Sequence, residues 1–488
     1  MNTQQALQIA IGATRARVFI NSSFNALPFV QKYARSRLSD YRYNYSRRKF
    51  EINKKYLRYE SRNGFLYMPV NMLESFIEML EKEGFQYNLY DEPFYRPREL
   101  TIRMKKSFIP RPHQIDAIAY IKEDLPRRKG LAIQTGSGKT VSAISGMIAY
   151  GKAGLVVVSR LQQQWIKSIR EFTTAKPNQV YLVQGHKSFV DLITSDIKPE
   201  IIVFSLETLR EYCKQGPLYR DYPPFDEFCK YFGIGFKIMD EVHLNFHACT
   251  MIDLSCNIPN NVYLTATFAS SDKSTRRIFE TVYPTSMQFG RTNIEKYTKA
   301  YMYSYFGNIR DKEVIRKRGY SQVKFEQYLT QRPMLLKAWL NDVIHPIMMS
   351  HYVNVKNPGE KVLIMVETLE MAEAIYAYCK KEFSEYKTVK FVGGISDKVL
   401  DSNEIIIATE KSCGVGKDIK HLRALINIIS TRSIPLIKQI FGRLRKIPGV
   451  QTEYADICDE NLTAQVRHRE TRFDVFSEIA SEIIPLRL

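Results

Sequence analysis

The sequence predicts an α/β protein in which two consecutive units, each a parallel sheet covered by helices, follow a smaller α+β module. Beyond residue 112, short apolar segments alternate with segments of helical periodicity, as parallel sheets buried on both faces require. The alternation breaks once, around residues 296–337, which divides it into two units. The first hundred or so residues differ in being strongly basic and rich in tyrosine.

These observations predict three domains. An N-terminal basic α+β domain spans residues 1–106, a first α/β domain spans 107–290 and a second spans 291–488. The segment 296–337 holds ten basic and three acidic residues, and we interpret it as a basic insertion at the start of the last domain. A chain of 488 residues is long enough for about three domains.

The N-terminal domain shows strand and helix signals in turn. Tyr41, Tyr43 and Tyr45 alternate with polar residues, which places their rings on one face of a strand. Asn63-Gly64 is a hairpin turn signal. Apolar residues at helical spacing over 70–80 then predict a helix.

Positive charge is concentrated in this domain. Residues 32–62 contain eleven basic residues against three acidic ones, within a chain whose 71 basic and 51 acidic residues give a net charge of +20. Such an imbalance is typical of proteins that meet a polyanion. A basic surface kept for solubility is the alternative, and clustering argues against it because like charges repel unless neutralised. We predict DNA contacts from Arg42, Arg47, Arg48, Lys54 and Lys55, with the tyrosines as stacking surfaces or core.

The predicted strands of the two α/β units are short and apolar. Those of the first unit are Leu131–Ile133, Leu155–Val158, Ile201–Phe204, Phe236–Met239 and Val262–Leu264. Those of the second are Val362–Val366, Val389–Val392, Ile405–Ile407, Ala424–Ile429 and Tyr454–Ile457.

A glycine-rich turn follows the first of these strands. Apolar residues at helical spacing come after it, so the turn joins a strand to a helix N-terminus, where backbone N–H groups and the helix dipole favour an anion. Lys139 would reach the β- and γ-phosphates of a nucleoside triphosphate, and the Thr140 hydroxyl would bind Mg²⁺. A tight turn in a polar loop is the alternative, although it does not need Lys and Thr after the last glycine. The phosphate-binding residues are predicted to be Thr135, Gly136, Ser137, Gly138, Lys139 and Thr140.

Two adjacent carboxylates follow a strand about a hundred residues later. In Ile238-Met-Asp-Glu-Val-His243, Asp240 would position Mg²⁺ while Glu241 orients and deprotonates the attacking water. Alone, an Asp-Glu pair is usually an ordinary surface pair. Its position beyond a phosphate loop favours the catalytic interpretation, with a nucleoside triphosphate and Mg²⁺ bound at the site.

A third signal lies near the end of the chain, in Gln439-Ile-Phe-Gly-Arg-Leu-Arg-Lys446. An arginine delivered across a cleft onto the γ-phosphate neutralises charge that develops in the transition state. Here the arginine comes from the second unit and the phosphate loop from the first. Hydrolysis would therefore require the two units to close on each other.

Taken in order, these motifs resemble those of superfamily-two helicases and translocases of the DExH branch. The series is Arg111-Pro-His-Gln114, Thr-Gly-Ser-Gly-Lys-Thr, Asp-Glu-Val-His, Thr265-Ala-Thr267 and Gln-x-x-Gly-Arg-x-Arg, over residues 108–460. The resemblance implies two tandem RecA-like motor domains.

The resemblance also implies roles for individual residues. Gln114, with Arg111 nearby, would recognise adenine, and Thr265 with Thr267 would couple His243 to DNA. The residues that would grip the nucleic-acid backbone are Ser159, Arg160, Gln164, Ser205 and Thr208 in the first motor domain and Thr409 in the second. Gly416 and Asp418 would belong to the nucleotide-linked part of the fifth motif, and Gln439, Arg443 and Arg445 to the sixth.

One departure from the family pattern concerns the arginines. The family places two arginines three residues apart, at the positions of Arg443 and Lys446, whereas this chain has Arg445 one residue early. Arg443 is therefore the predicted arginine finger, and the second position stays open between Arg445 and Lys446.

The N-terminal hundred residues, including Phe65-Leu-Tyr-Met-Pro69 and 83–93, resemble those of phage recombination helicases. This implies an ATP-dependent DNA helicase or translocase that unwinds or branch-migrates forks, junctions and single-strand/duplex boundaries in recombination, repair or replication. A duplex-DNA translocase subunit without strand separation is a second interpretation. An ATP-gated clamp or annealing module is a third, and RNA in place of DNA is a further alternative.

Composition adds expectations about location. The seven cysteines form no CxxC pair, which fits a reducing compartment, and the N-terminus lacks a basic region followed by an apolar core. We predict a cytoplasmic protein, in the host cell if it is phage-encoded, without a membrane span. Nothing in the sequence requires a protein partner or an oligomer, so we predict a monomer.

Overall fold

The structure is a computed structural model that divides into two compact units at about residue 292, with the N-terminal domain and the first lobe together in one unit. The residues that it describes are 6–20, 26–44, 47–60, 64–132, 138–265, 268, 273–289, 296–316, 319–393, 395–396, 398–412 and 419–488. Among the helices in these ranges, none combines the length and apolarity that a membrane span needs.

The N-terminal domain is a mixed five-stranded sheet packed against two helices. Its strands are β1 (Leu7–Ile11), β2 (Arg15–Phe19), β5 (Arg58–Glu60), β6 (Phe65–Pro69) and β7 (Tyr87–Asp91), and its helices are α1 (Ala26–Arg37) and α2 (Leu73–Lys82). The strand order is β5-β6-β2-β1-β7, with only the β1–β7 pair parallel. Ile9, Val18, Met68 and Phe76 lie fully buried between the sheet and the helices.

A separate two-stranded ribbon extends from this domain. Strands β3 (Ser39–Asn44) and β4 (Lys49–Lys55) pair antiparallel, with Tyr41 opposite Ile52 and Tyr43 opposite Phe50. Tyr41 and Tyr43 therefore share one face, as the alternation predicts; Tyr45 lies outside the described residues. The predicted hairpin of Asn63-Gly64 corresponds to the antiparallel pair β5–β6, although Asn63 itself lies outside the described residues.

The first lobe is a six-stranded parallel sheet with order β10-β11-β9-β12-β13-β8. Its strands are β8 (Arg128–Ala132), β9 (Gly154–Val158), β10 (Val180–Val183), β11 (Ile201–Ser205), β12 (Phe236–Met239) and β13 (Asn260–Thr265). Its helices are α3 (Pro112–Lys122), α4 (Lys139–Tyr150), α5 (Gln162–Phe172), α6 (Gly185–Thr194), α7 (Leu206–Cys213), α8 (Phe225–Phe232), α9 (Phe246–Asp253) and α10 (Lys273–Val282).

Apolar runs, rather than alternating patterns, form these strands because both faces of the sheet are covered. In β9, Leu155 and Val157 enter one hydrophobic cluster while Val156 and Val158 enter a second on the opposite face. All four side chains are buried. Continuous apolar segments are therefore the signature of this sheet.

The second lobe is a seven-stranded parallel sheet with order β18-β19-β17-β20-β21-β14-β22. Its strands are β14 (Thr298–Tyr305), β17 (Lys361–Val366), β18 (Thr388–Phe391), β19 (Ile405–Thr409), β20 (Leu422–Asn427), β21 (Thr452–Asp459) and β22 (Glu482–Arg487), with a small hairpin of β15 (Ile315–Arg316) and β16 (Gly319–Tyr320). Its helices are α11 (Gln322–Thr330), α12 (Pro333–Trp339), α13 (His345–Met348), α14 (Leu369–Glu382), α15 (Lys398–Ser402), α16 (Ile434–Phe441) and α17 (Thr463–Ile479), and π-helical turns follow α12 and α13.

The sequence indicates a basic insertion over residues 296–337, but the first part of this segment is a strand of the sheet. Strand β14 lies inside the sheet between β21 and β22. Three tyrosines occupy alternate positions of this strand, whereas a buried parallel strand usually carries aliphatic side chains. The composition of the segment therefore does not indicate a buried strand. Tyr303 and Tyr305 are buried, and their hydroxyl oxygens lie 2.7 Å from His351 Nε2 and 2.9 Å from Trp339 Nε1, respectively.

The N-terminal domain docks onto the first lobe through buried polar contacts. Arg15 donates to both carboxylate oxygens of Glu92 (3.1 and 2.7 Å) and to Asp226 of the first lobe (2.8 Å). Thr14 Oγ1 donates to the carbonyl of Asp253 at 2.8 Å. Buried charges of this kind are tolerated only when paired and hydrogen-bonded.

A second junction lies at the base of the ribbon. The ring of Tyr56 stacks on Phe246 at the start of α9, with centroids 5.0 Å apart and planes 29° apart. The neighbouring His247 Nε2 donates to the carbonyl of Lys55 at 2.9 Å. The end of β4 is thus attached to a helix of the first lobe.

We expect Arg15→Ala to lower the free energy of unfolding by about 3 kcal/mol, because it removes both hydrogen bonds that Arg15 donates to the buried Glu92 and leaves only Arg17, 3.9 Å away, as its cation. Equilibrium unfolding in urea measures the change. Arg210→Ala is the matched control, since Arg210 pairs with Glu211 at an exposed site and its loss should cost less than about 0.5 kcal/mol. Equal losses in the two variants would contradict a docking role for Arg15.

Candidate functional site

The predicted phosphate loop lies between β8 and α4 at the carboxyl edge of the first lobe's sheet. Thr135, Gly136 and Ser137 lie outside the described residues, but Gly138, which ends the loop, is described. Gly138 has a φ of +86°, and a Cβ there would collide with the amide of Gln114. Only glycine therefore fits at this position.

Gln114 connects the start of α3 to this loop. Its Oε1 accepts a hydrogen bond from the Arg111 backbone N–H at 2.8 Å, and its Nε2 donates to the Gly138 carbonyl at 3.4 Å. Gln114 is buried, whereas Arg111 is exposed. The two residues predicted to meet adenine thus lie next to the loop predicted to hold the phosphates.

Lys139, the first residue of α4, forms a buried ion pair with Glu241. Its Nζ donates to Glu241 Oε1 at 2.9 Å, and the two side chains are 9% and 10% exposed. Burial lowers the pKa of Lys139, but the charges of Glu241 and Asp240 outweigh burial and leave that pKa raised. The ammonium group therefore stays charged.

Asp240 is held from two sides at the end of β12. Its Oδ2 accepts a hydrogen bond from Trp165 Nε1 at 3.0 Å, and its Oδ1 accepts one from the Glu241 backbone N–H at 3.0 Å. Burial raises the pKa of Asp240 to about 6, with Lys139 opposing the rise and Glu241 adding to it. Such a carboxylate has a fixed orientation and is readily stabilised by a nearby cation.

The backbone at Glu241 adopts a conformation that a side chain rarely allows. Its φ is +49°, in the left-handed region, which costs about 1–3 kcal/mol in a residue other than glycine. Strain of this kind concentrates at functional sites. The turn directs the Glu241 carboxylate to Lys139 and brings its Oε2 to 3.3 Å from His243 Nδ1.

His243 completes this cluster and contacts the end of β13. Its Nδ1 lies 2.8 Å from Thr265 Oγ1. Burial lowers the pKa of His243, with Glu241 opposing the shift and Lys139 adding to it, so the ring is neutral at pH 7. The contact links the Asp-Glu-Val-His segment to Thr265; Thr267, the second residue of the expected relay to DNA, lies outside the described residues.

The residues around the loop fit Mg²⁺. Thr140 in the first turn of α4 and Asp240 at the end of β12 offer the oxygen ligands that this hard cation prefers, with nucleotide phosphates and water supplying the remainder. No group of three or more His, Cys, Asp or Glu suited to a metal occurs in the described part of the chain. A nucleotide-bound Mg²⁺ does not need such a group.

Two neighbouring strands carry the predicted backbone-gripping residues of the first lobe. After β9, Arg160 and Gln164 are exposed and Ser159 is half-buried. After β11, Ser205 Oγ accepts from the Thr208 backbone N–H (3.3 Å) and Thr208 Oγ1 accepts from the Gly185 backbone N–H (2.8 Å), so both buried hydroxyls have local partners. Because parallel strands end at the same edge, these segments share an edge with the loop and carboxylates.

The predicted residues of the second lobe lie at two places. Thr409 is buried at the end of β19, with its Oγ1 2.5 Å from Ser412 Oγ. Gln439 is half-buried within α16, and Arg443 is buried in the turn after it. Arg445 is half-buried and donates to the Gly442 carbonyl at 2.9 Å, while Lys446 is exposed. Gly416 and Asp418 lie outside the described residues.

The predicted DNA contacts of the N-terminal domain lie on or beside the ribbon. Arg42, Arg47, Arg48, Lys54 and Lys55 are all exposed. Exposure is what a phosphate-contacting side chain needs.

Sequence reasoning missed the contact between Trp165 and Asp240. Trp165 follows the Ser159–Gln164 segment in α5, and nothing in its local pattern distinguishes it from a core residue. The contact arises because β9, which precedes α5, lies beside β12 in the sheet. That strand order is not written in the sequence.

Parts of the chain are similar to known proteins. Residues 107–270 match the family model described as Type III restriction enzyme, res subunit (ResIII). No curated protein sequence matches the chain. S. cerevisiae Dbp5 bound to RNA and ADP BeF3 aligns with a TM-score of 0.51 and 16% identity, over 78% of this chain and 91% of that chain.

Two further solved structures align. LlaBIII, an ATP-dependent Type ISP restriction-modification enzyme bound to DNA, has a TM-score of 0.51 and 14% identity, over 79% of this chain and 32% of that chain. T4 UvsW aligns over 99% of this chain and 100% of that chain at 15% identity, with a TM-score of 0.37.

The two lobes are thus RecA-like, and the chain as a whole is α/β, as predicted. The fold resembles that of superfamily-two helicases, and residues 107–270 match the ResIII family model.

We expect Trp165→Phe to raise the Mg²⁺ concentration for half-maximal nucleotide binding on the order of tenfold, because the group that orients Asp240, the predicted metal ligand, is lost. A fluorescent ADP analogue titrated with Mg²⁺ measures the shift. Trp339→Phe is the matched control: it removes an indole hydrogen bond to Tyr305 in the second lobe, and it should leave the Mg²⁺ requirement unchanged. An unshifted requirement in Trp165→Phe would contradict the role given to that indole.

Proposed function

We propose that this protein is an ATP-dependent DNA helicase or translocase that unwinds or branch-migrates forked and junction DNA. The observation that carries the motor part is the cluster of Lys139, Asp240 and Glu241 at the carboxyl edge of a parallel sheet. The exposed basic residues of the ribbon support nucleic acid as the partner. We further propose that the protein acts as a monomer in the cytoplasm, in recombination, repair or replication of DNA.

The proposed chemistry uses each member of the cluster. Lys139 exchanges the Glu241 carboxylate for the β- and γ-phosphates of ATP, and Glu241 then orients and deprotonates the attacking water. Thr140 and Asp240 would hold Mg²⁺, which would neutralise charge on the phosphates. Trp165 and the Glu241 backbone keep Asp240 oriented for this task.

The second lobe supplies the remaining charge in this proposal. Arg443 acts as the arginine finger, and Gln439 with Arg445 or Lys446 assists it. Gly416 and Asp418 complete the nucleotide site, while Arg111 and Gln114 bind adenine. Closure of the lobes around ATP and their reopening after hydrolysis would convert chemistry into movement along a strand.

DNA gripping is assigned to the strand ends. Ser159, Arg160 and Gln164 in the first lobe and Thr409 in the second are proposed to contact the backbone of the tracked strand. The Ser205 hydroxyl caps α7, and the Thr208 hydroxyl accepts a hydrogen bond from the Gly185 backbone N–H at the start of α6. For these two residues, we propose that backbone atoms of the turn at the start of α7 contact the nucleic acid. The proposal also includes three domains, which span residues 1–106, 107–290 and 291–488.

RNA is the principal alternative substrate, and a duplex translocase without strand separation is the second candidate. Dbp5 is bound to RNA and LlaBIII to DNA in the structures that align with this chain. Backbone-gripping residues do not distinguish the sugars, because the ribose 2′-hydroxyl must be read by a dedicated contact. We favour DNA because of the resemblance of the N-terminal hundred residues to phage recombination helicases.

We expect Lys139→Ala and Glu241→Gln each to reduce the turnover number for ATP at least about 100-fold, since both act on the reacting phosphate. DNA affinity should change less than about threefold in either variant. ATPase assays and fluorescence anisotropy with labelled DNA measure the two effects. Lys356→Ala is the control: Lys356 pairs with Glu404 at the opposite end of β19 from Thr409. Retained turnover in both test variants would remove the site assignment.

A substrate panel separates the candidate functions. Single-stranded DNA, duplex, fork and four-way junction, together with RNA counterparts, are compared for ATPase stimulation and strand separation. The proposal predicts ATP-dependent unwinding of forks and junctions with DNA at least about tenfold more effective than RNA. Triplex displacement without fork unwinding would point to the duplex translocase. ATP-dependent binding without either activity would identify a clamp or annealing module.

A further inference from the structure

The β3–β4 ribbon exposes a continuous apolar face. Phe50, Tyr43, Tyr41 and Ile52 are 69%, 40%, 37% and 36% exposed. Their strand register makes them two directly opposed pairs, so the four side chains are neighbours rather than scattered residues. Single exposed apolar residues need no explanation, but an adjacent group on one face indicates an interaction surface.

The aromatic rings in this group are held in position. Tyr43 and Phe50 contact each other with centroids 5.2 Å apart and planes 70° apart. The Tyr41 hydroxyl donates to the Arg35 carbonyl at the end of α1, at 2.8 Å. The rings therefore form a preorganised platform, which lowers the entropic cost of binding a flat partner.

The surroundings of the platform are positive. A groove of about 490 Å³ runs beside Tyr41 along α1, and its lining residues are Pro28, Gln31, Lys32, Arg35, Ser36 and Tyr41. On the opposite face of the ribbon, Glu51 accepts hydrogen bonds from Asn44 and Arg47, so its negative charge is locally compensated. The charge around the aromatic face suits a polyanion.

We propose that the face formed by Tyr41, Tyr43, Phe50 and Ile52 is a stacking platform for the unpaired bases of a nucleic-acid strand. Lys32 and Arg35 in the adjoining groove contact the phosphates of that strand. This inference rests on the proposed function, in that nucleic acid is the partner, and it adds which form of nucleic acid the ribbon takes. Basic side chains alone would suit a duplex equally well.

The paired bases of duplex DNA have no free faces to stack on such a platform. Its bases already stack on one another, and only their edges face the grooves. The bases of a single strand have open faces, which aromatic side chains cover without regard to sequence. A basic ribbon with an exposed aromatic face therefore favours the single-stranded part of a branched substrate.

The test replaces aromatic rings by apolar side chains of no stacking capacity. In Tyr43→Leu/Phe50→Leu, affinity for a mixed-sequence single strand should fall about fivefold or more, while affinity for a duplex of equal length changes less than about twofold. The slope of log affinity against log salt should stay unchanged, because no cation is removed. Tyr41 is left intact because its hydroxyl attaches the ribbon to α1.

Three controls separate stacking from loss of structure. Phe50→Trp in the unmodified protein should retain or exceed its single-strand affinity, since it keeps an aromatic face at that position. Tyr90→Leu removes an equally exposed ring at the far edge of the N-terminal sheet, and it should not change affinity. Melting temperatures and circular dichroism of all variants should match the unmodified protein. A 2-aminopurine base in the strand should change its fluorescence on binding to the unmodified protein and less so with the double leucine variant.

The variant Arg42→Ala/Lys54→Ala/Lys55→Ala, which removes positive charge from the ribbon, is measured alongside. It distinguishes failure of the stacking inference from failure of the proposed function. It should lower the salt slope for single strand and duplex alike. If it does so while the leucine variant binds normally, the stacking platform is overturned and DNA contact by the ribbon stands. If neither variant changes binding while DNA still stimulates the ATPase, the ribbon is not a nucleic-acid surface. Loss of binding to anionic phospholipid vesicles, with oligonucleotide affinity intact, would instead identify a membrane-facing surface and overturn the inference.

Discussion

Lys139 and Glu241 pair inside the first lobe, where each alone would be a costly buried charge. Breaking such a pair by removing one member typically costs about 3–5 kcal/mol, so the residues that bring the two together are constrained as well. Gly138 must be glycine for α4 to begin beside Gln114, and Glu241 must accept a left-handed φ to turn its carboxylate to Lys139. Folding stability and the geometry of the proposed catalytic cluster therefore depend on the same few backbone positions.

The parallel sheet converts distance in sequence into proximity in space. Lys139 and Glu241 are about a hundred residues apart, and β13 lies between the strands that precede them. Because all six strands end at one edge, short turns are enough to gather the loop, the carboxylates and His243. The same edge continues to β9 and β11, which carry the predicted strand-gripping residues. Trp165 connects these two parts of the edge through its hydrogen bond to Asp240.

Local pattern predicted most of the fold. Apolar runs such as Leu155–Val158 and Ile405–Ile407 became strands with boundaries shifted by one or two residues, because both faces of each sheet are buried. Strand β14 escaped prediction because its buried positions hold tyrosines with hydroxyl partners and small or polar residues such as Ala300 and Ser304, rather than valine and isoleucine. The Trp165–Asp240 contact could not be predicted because it depends on strand order, which emerges only from the packing of the whole lobe.

The stack of Tyr56 on Phe246 couples two distant parts of the first unit mechanically. Both rings are buried, and separating them would expose apolar surface worth about 1.5–3 kcal/mol per ring. Phe246 begins α9, five residues after Glu241, and Tyr56 directly follows β4. The base of the ribbon is therefore anchored to the helix that follows the carboxylates, by this stack and by the hydrogen bond from His247 to Lys55.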